Sequence, residues 1–367
     1  MVSIWQGVTN SIMKFKTDVM KPILFISLII FFTSTIIPGT AAAQSTDPDQ
    51  DVHIERHIKT FLKAVNSGTG KTIEQLSPTD GRAILTTVQK SVKVDLSGIV
   101  VTEKKISEDG QQIILNIVRP AGKTGPLPVF MFFHGGGWVL GDFPTHERLV
   151  RDLVVGSGAV AVFVNYSRSP EAKFPIAINQ AYAATKWVAA NGRELNVNTD
   201  HLAVAGNSVG GNMAAVVALM AKQKKGPKIA FQLLLWPVTN AEFETESYAR
   251  YAEKRFLTKS VMQYYWNSYI PGPSARNNPY TSPLQATIKQ LSRLPPALIQ
   301  TAENDVLRDE GESYGRKLDL VGVNVVVTRY NGLIHDFGLL NPIVTVPAVQ
   351  SALSQAGAEL KQHLFKK

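Results

Sequence analysis

Two glycine-rich motifs, HGGGW at residues 134–138 and GNSVGG at residues 206–211, constrain this chain more than any other feature. A Gly-x-Ser-x-Gly motif places a serine, here Ser208, on a tight turn between a strand and a helix, with its hydroxyl above the edge of a sheet. The upstream glycines expose backbone N–H groups, because no side chain blocks the approach of a substrate oxygen. Glycine makes up about 7% of an average protein, so chance pairs two such motifs in roughly one chain in several hundred or fewer. The pair therefore predicts a serine nucleophile beside an oxyanion site.

The composition limits the other chemistries that this chain can support. Its 367 residues, of which 44% are hydrophobic and 18% charged, fit one large α/β domain with or without an appended subdomain. Cysteine is absent and there is no His-Glu-x-x-His motif, so we expect neither a thiolate nucleophile nor a metal, and no organic cofactor is required. The net charge is +9, but the basic residues are spread along the chain, and their cluster at residues 222–225 falls where a helix is expected to end. A nucleic-acid partner is therefore not predicted.

The N-terminal residues have the pattern of an export signal. Three lysines precede an apolar run at residues 23–37, and a Pro-Gly break and three alanines follow it. Fifteen apolar positions are short for a membrane span, which needs about 20. We predict that residues 1–43 are a signal peptide cleaved after Ala43, with a possible true start at Met20. The expected product is periplasmic or secreted, without a stable membrane span after processing; the alternative is an uncleaved N-terminal anchor.

The remaining chain alternates between the periodicities of strands and helices. Strands are predicted at 99–106, 112–119, 127–133, 159–166, 202–205, 231–236, 297–301 and 324–330. Helices are predicted at 52–65, 81–90, 175–190, 212–221 and 347–364. This order indicates an α/β fold with a mostly parallel central sheet flanked by helices, whose ligands bind at the carboxyl ends of the strands.

One long segment interrupts this alternation and carries many of the aromatic residues. We interpret residues 238–283 as an insertion that forms a helical cap over the site, together with N-terminal cap helices at residues 44–95. The core then comprises residues 96–237 and 284–367. Trp138 and Tyr265 are the candidate substrate-binding aromatics, and about half of the aromatic residues in the insertion are expected to pack within the core of the cap itself.

The positions of the remaining histidines indicate the base that would activate Ser208. A serine hydroxyl becomes nucleophilic when a histidine takes its proton and a carboxylate orients that histidine. With the serine on such a turn, the residues occur in the order Ser, Asp or Glu, His. Only His335 and His363 follow Ser208. His335 lies just after the last predicted strand, whereas His363 falls in the terminal helix and is expected at the surface, so we predict His335 as the base.

The carboxylate is expected after the preceding strand, which is predicted to end near residue 301. Asp305 is favoured over Asp309 and Glu310, because negative charges are stabilised in the first turn of the next helix and those two residues suit that position. It is favoured over Glu303 because Glu303 lies too early, at the end of the strand. Asp336 is a weaker alternative, since adjacent side chains in a loop rarely pair. The oxyanion is expected to accept hydrogen bonds from the N–H groups of Gly135, Gly136 and Val209.

Six ordered motifs resemble those of the bacterial hormone-sensitive-lipase-like (family IV) esterases, a branch of the α/β-hydrolases, over about residues 50–365. They are HGGGW (134–138), YSRSPE (166–171), GNSVGGN (206–212), NPYTSPL (278–284), DVLRDEG (305–311) and HDF (335–337). The resemblance implies an α/β-hydrolase fold with a helical cap, Ser208, Asp305 and His335 as the triad, and a structural role for His134. The chain departs from the family at Asn207, where Asp is usual, and at Val209, where Ala is usual.

The expected activity is hydrolysis of short- to medium-chain acyl or aromatic esters through an acyl-enzyme, with a small-molecule ester as substrate. An amidase or deacetylase with the same triad and a non-catalytic ligand-binding homologue are the alternatives. The sequence leaves the oligomeric state open.

Overall fold

A central sheet of eight strands organises the computed structural model, which describes residues 47–366. The strands are β1 (Ile99–Glu108), β2 (Gln111–Pro120), β3 (Leu127–Phe133), β4 (Val160–Asn165), β5 (Val197–Asn207), β6 (Ile229–Leu235), β7 (Ala297–Asn304) and β8 (Val325–Ile334). Their spatial order is β1-β2-β4-β3-β5-β6-β7-β8. The β1–β2 and β2–β4 pairs are antiparallel and the others are parallel, so the sheet is mostly parallel, as the alternating sequence pattern predicted.

Helices cover both faces of the sheet. They are α1 (Arg56–Asn66), α2 (Pro78–Lys90), α3 (Phe143–Ser157), α4 (Ile176–Ala190), α5 (Val209–Gln223), α6 (Glu246–Arg250), α7 (Lys259–Tyr269), α8 (Ile288–Leu291), α9 (Arg308–Leu320) and α10 (Pro347–Leu364). Strand β3 shows why: Met131 and Phe133 pack into one core with α4 and α5, and Phe132 packs into another with α3 and α10. A strand that is buried on both faces must be apolar at consecutive positions, and β3 is.

The N-terminal helix begins later than predicted, at residue 56 instead of 52. The Glu55 carboxylate accepts hydrogen bonds from the N–H groups of His57 and Ile58, which caps the helix. The Glu55 N–H donates to the Gly332 carbonyl at 3.0 Å, next to the loop that carries His335. Residues 52 and 53 therefore form a turn, and Ile54 pairs with Gly332 of β8 as an isolated bridge.

Other boundaries also differ from the predictions. Strand β5 begins at Val197, five residues before the predicted start, and α5 begins at Val209 instead of residue 212. Residues 238–283 contain α6, α7 and a short 3-10 helix, Pro273–Asn277. No helix within residues 47–366 is both long and apolar enough to cross a membrane. The predicted signal peptide lies outside the described residues.

Candidate active site

Ser208 occupies the turn between β5 and α5. Its backbone has φ 55° and ψ −122°, a conformation that L-residues rarely adopt. The flanking glycines are required by crowding, because a Cβ at Gly206 would overlap Gly210 and one at Gly210 would overlap the Phe133 carbonyl. The glycines therefore allow the turn to pack directly against the end of β3, and this packing places Ser208 beside the HGGGW loop.

Two further predicted residues meet Ser208 from other strand ends. His335 follows β8, and its Nε2 lies 3.0 Å from Ser208 Oγ. Its Nδ1 lies 2.7 Å from Oδ2 of Asp305, which follows β7. The other Asp305 oxygen accepts from the Leu307 N–H at 2.9 Å, which fixes the carboxylate. All three side chains are buried, so the structure brings together the three residues that the sequence proposed.

The electrostatic surroundings of His335 favour its positive form. Burial lowers the pKa of its imidazole, but the carboxylates of Asp305 and Asp336 outweigh that effect and raise the pKa above the ordinary value. Asp336 Oδ2 lies 3.8 Å from His335 Nε2, on the serine side of the ring, so it does not orient the base as Asp305 does.

The remaining carboxylate candidates have other contacts. Glu303 accepts from the Gly332 N–H, Asp309 pairs with Arg308, and Glu310 accepts from the Thr239 N–H. Asp309 and Glu310 do lie in the first turn of α9, as expected. His363 is only partly surface exposed: its ring stacks on Phe231 with centroids 4.2 Å apart.

Of the three N–H groups predicted to hold the oxyanion, that of Gly135 is already hydrogen-bonded within the protein. The Gly135 N–H donates to Asn207 Oδ1 at 3.0 Å and faces His146 Nε2 at 3.2 Å, so it is not available to a substrate. Gly136 and Gly137 line the cavity beside Ser208, and within residues 47–366 their N–H groups have no hydrogen-bond acceptor. Val209 is the first residue of α5, where the N–H has no partner within the helix. The run of three glycines was the signal for Gly137, but it did not show which two of them line the cavity.

Buried aromatic rings hold the HGGGW loop in place. His134 stacks on Tyr166 with centroids 4.1 Å apart, and the Tyr166 hydroxyl donates to the His134 carbonyl at 2.8 Å. Burial lowers the pKa of His134 well below its ordinary value, so the ring is neutral. Burial likewise lowers the pKa of His146 to about 4, although nearby Asp336 and Asp142 oppose this. Both histidines are thus neutral side chains that support the loop.

A cavity of about 180 Å³ opens onto Ser208 and has two walls of different construction. The first, which we call the loop wall, consists of Gly136, Gly137, Leu140, Ser208, His335 and Asp336. The second, the helix wall, consists of Val65, Ile73, Ile84, Leu85, Val88, Phe256, Leu257, Val261 and Tyr265. The helix wall joins the N-terminal helices to the insertion, and the sequence had singled out only Tyr265 from it.

The two candidate substrate-binding aromatics have different surroundings. Tyr265 lines the cavity, and its ring lies so close to Gly137 that a Cβ there would overlap it. Trp138 does not line the cavity. Its fully buried ring stacks on Tyr269 with centroids 4.0 Å apart and meets Trp266 edge-on. Trp138 therefore anchors the loop to the insertion instead of contacting a ligand in this cavity.

Known proteins share this architecture. Residues 130–339 match the family described as the alpha/beta hydrolase fold. A thermostable esterase from Pseudomonas putida has a solved structure with 62% identity and a TM-score of 0.86, covering 86% of this chain and 99% of that chain. Carboxylesterase NlhH of Mycobacterium tuberculosis is 36% identical over 72% of this chain and 83% of its own. The ethyl acetate hydrolase of Pseudomonas putida is 30% identical over 70% of this chain and 81% of its own.

The chain therefore belongs to the hormone-sensitive-lipase-like (family IV) branch of the α/β-hydrolases. It is an enzyme of the carboxylic ester hydrolase class.

Proposed function

We propose that Ser208, His335 and Asp305 act as a catalytic triad that hydrolyses carboxylic esters through an acyl-enzyme. The observation that carries this proposal is the continuous chain of contacts from Asp305 Oδ2 through the imidazole of His335 to Ser208 Oγ, at 2.7 and 3.0 Å. Both distances fall within hydrogen-bond range for proton transfer and orientation. Because Asp305 accepts the Nδ1 proton, Nε2 is left as the acceptor that a serine hydroxyl requires.

Each residue then has a defined step. His335 Nε2 takes the proton of Ser208 as Oγ attacks the ester carbonyl, and the new oxyanion accepts from the N–H groups of Gly136, Gly137 and Val209. His335 returns the proton to the leaving alcohol, and the acyl group stays on Ser208. Water then enters and gives a proton to His335 Nε2 as its oxygen attacks the acyl carbonyl. His335 returns that proton to Ser208 Oγ as the bond between Oγ and the acyl carbon breaks, and the acid leaves. Each oxyanion donor contributes about 3 kcal/mol to the transition state.

The cavity supports short- to medium-chain acyl or aromatic esters as substrates. Its volume of about 180 Å³ is below the roughly 300–1,000 Å³ of pockets for drug-sized ligands. The helix wall presents aliphatic side chains and the Tyr265 ring, which favour an apolar group. The name of one relative, ethyl acetate hydrolase, agrees with a small ester.

Hydrolysis of p-nitrophenyl esters from acetate to palmitate, with wild type compared with Ser208→Ala, tests this function. We expect wild-type activity to be highest on short chains and the variant to lose it by roughly 10⁴-fold or more. Ser91→Ala, an exposed position at the end of α2, is the matched control and is expected to match wild type. Activity that survives Ser208→Ala would assign the chemistry to another residue. A p-nitroanilide series distinguishes the amidase alternative, since the same triad serves both bonds.

Export of the enzyme is part of this proposal and rests on the sequence of residues 1–43. N-terminal sequencing of the protein purified from its native cells should give Gln44 as the first residue. An intact N-terminus recovered in a washed membrane fraction would instead identify the segment as an anchor.

A further inference from the structure

The side chain immediately before the nucleophile connects three loops of the active site. Asn207 is fully buried, and its Oδ1 accepts from the Gly135 N–H at 3.0 Å. Its Nδ2 donates to Asp336 Oδ1, also at 3.0 Å. Gly135 begins the loop that carries the oxyanion donors, and Asp336 follows His335. One amide therefore joins the turn of Ser208 to the oxyanion loop on one side and to the histidine loop on the other.

Asp336 is held firmly at its end of this connection. Its Oδ1 accepts a second hydrogen bond, from Trp236 Nε1 at 2.7 Å, and its Oδ2 lies 3.8 Å from His335 Nε2. Its backbone lies in the left-handed region, with φ 58°. The other titratable groups near Asp336 are His146 from α3 and Tyr265 from α7. His146 is neutral, so His335 is the group nearby that can carry a compensating positive charge.

We propose that Asn207 and Asp336 are a pair of positioning residues for ester hydrolysis, in which the Asn207 amide sets the distance between the oxyanion donors and the histidine base. This proposal rests on the proposed function of Ser208. The position needs an acceptor for the Gly135 N–H and a donor for Asp336, and the amide of Asn207 supplies both in one planar group that carries no charge. An aspartate at position 207 would still accept from Gly135, but it would face Asp336 with a second carboxylate about 3 Å away.

The aspartate variant has a pH signature that a general loss of packing does not produce. Two carboxylates at this distance cannot both ionise without repulsion, so one of them keeps a proton to a higher pH. While that proton is present, it bridges the pair and the loops stay together. Once it is lost, repulsion separates the two loops and the oxyanion donors move away from the base. Turnover by Asn207→Asp should therefore fall as the pH rises.

Kinetics across the pH range, with Asn207→Asp, Asn207→Ala and the double variant Asn207→Asp/Asp336→Asn, test the pair. We expect the kcat of Asn207→Asp to fall about 100-fold near pH 9 relative to wild type, with the loss in kcat larger than the change in KM. The double variant removes the second carboxylate and should abolish this alkaline decline. Asn198→Asp, the same change at an exposed position of β5, is the control and should follow wild type. Thermal unfolding of each variant separates kinetic loss from unfolding.

The outcomes separate the two proposals. If Ser208→Ala is inactive but Asn207→Asp keeps wild-type kcat at every pH, the triad stands and the positioning pair is refuted. An alkaline decline that persists in the double variant refutes it as well. If Asn207→Asp does not fold, Asn207→Ala carries the test: a drop in kcat of tenfold or more in a folded protein supports the pair, and wild-type kcat overturns it.

Discussion

The two walls of the cavity are built by different means. Apart from Leu140, the loop wall is made of backbone and hydrogen-bonded side chains, and its glycines cannot accept a Cβ without overlapping a neighbour. The helix wall is made of aliphatic and aromatic side chains from α1, α2, the short segment between them and the insertion. From this difference we expect turnover to depend on the positions of the loop-wall atoms, and substrate preference to depend on the volume that the helix wall leaves free. Changes to the loop wall should therefore act on turnover, and changes to the helix wall on preference.

The largest expected effect on turnover is at Asp305, which does not line the cavity but contacts His335 of the loop wall. Asp305→Asn keeps the shape of the side chain but removes the charge that orients His335 and stabilises its positive form. We expect kcat to fall by about 10⁴-fold while the unfolding temperature stays close to that of wild type. Steady-state kinetics and calorimetry on the same preparation check both. Near-normal turnover would move the role of the acid to another carboxylate, Glu303 or Asp336.

A second prediction tests the tolerance of the loop wall to one added methyl group. In Gly137→Ala the new Cβ overlaps the Tyr265 ring at a backbone φ of 63°, so the loop must shift. We expect kcat to fall by roughly 10²- to 10³-fold, because Gly137 is a proposed oxyanion donor.

The control is Gly125→Ala, where φ is 83° but nothing lies within 4 Å of the new Cβ. Both changes carry the left-handed strain of about 1–2 kcal/mol, so a larger loss at Gly137 reflects its contact with Tyr265 and its place beside Ser208. Equal kinetics for the two variants would show that the loop wall is not as rigid as its geometry indicates.

The helix wall should respond in substrate preference. Leu85→Ala on α2 enlarges the cavity by removing a buried side chain opposite Ser208. The ratio of kcat/KM for octanoate to that for acetate should rise by about tenfold, the effect of one or two methylene groups in an apolar pocket. Leu320→Ala, on an exposed leucine, is the control. A large loss of acetate turnover, with no change of the ratio, would mean that the helix wall also positions the catalytic groups.

The same contrast explains what the sequence predicts well. The turn at Ser208 follows from local glycine spacing, and the order of strands places Asp305 and His335 at neighbouring strand ends. The parallel sheet, confirmed by the structure, follows from runs such as β3 that are apolar on both faces. These features depend on backbone geometry, which short motifs encode directly.

The details that the sequence did not give depend on side chains far apart in the chain. The Gly135 N–H is occupied because Asn207, 72 residues later, accepts its hydrogen bond. Trp138 lies outside the cavity lining because its ring stacks on Tyr269 of the insertion. Val65 and Leu85 line the cavity because α1 packs against Phe256 of the insertion and α2 packs against α3, and neither residue lies in a motif. Such pairings are set by tertiary packing, which a single sequence does not display.

The smallest expected effect concerns the pH dependence of the loop wall. His335 must be neutral to accept the serine proton, so activity should fall as the pH drops through its pKa, which lies above the ordinary 6.5 because of Asp305 and Asp336. Removing the Asp336 charge in Asp336→Asn should lower that pKa and move the acidic limb of kcat/KM to lower pH. At 3.8 Å two unit charges interact by about 1 kcal/mol even at the dielectric constant of bulk water. Activity on the acidic limb, relative to the plateau of each enzyme, should therefore rise about fivefold in Asp336→Asn. An acidic limb at the same pH in both enzymes would show that Asp336 does not act on His335 through its charge, and would leave Asp305 alone to raise its pKa.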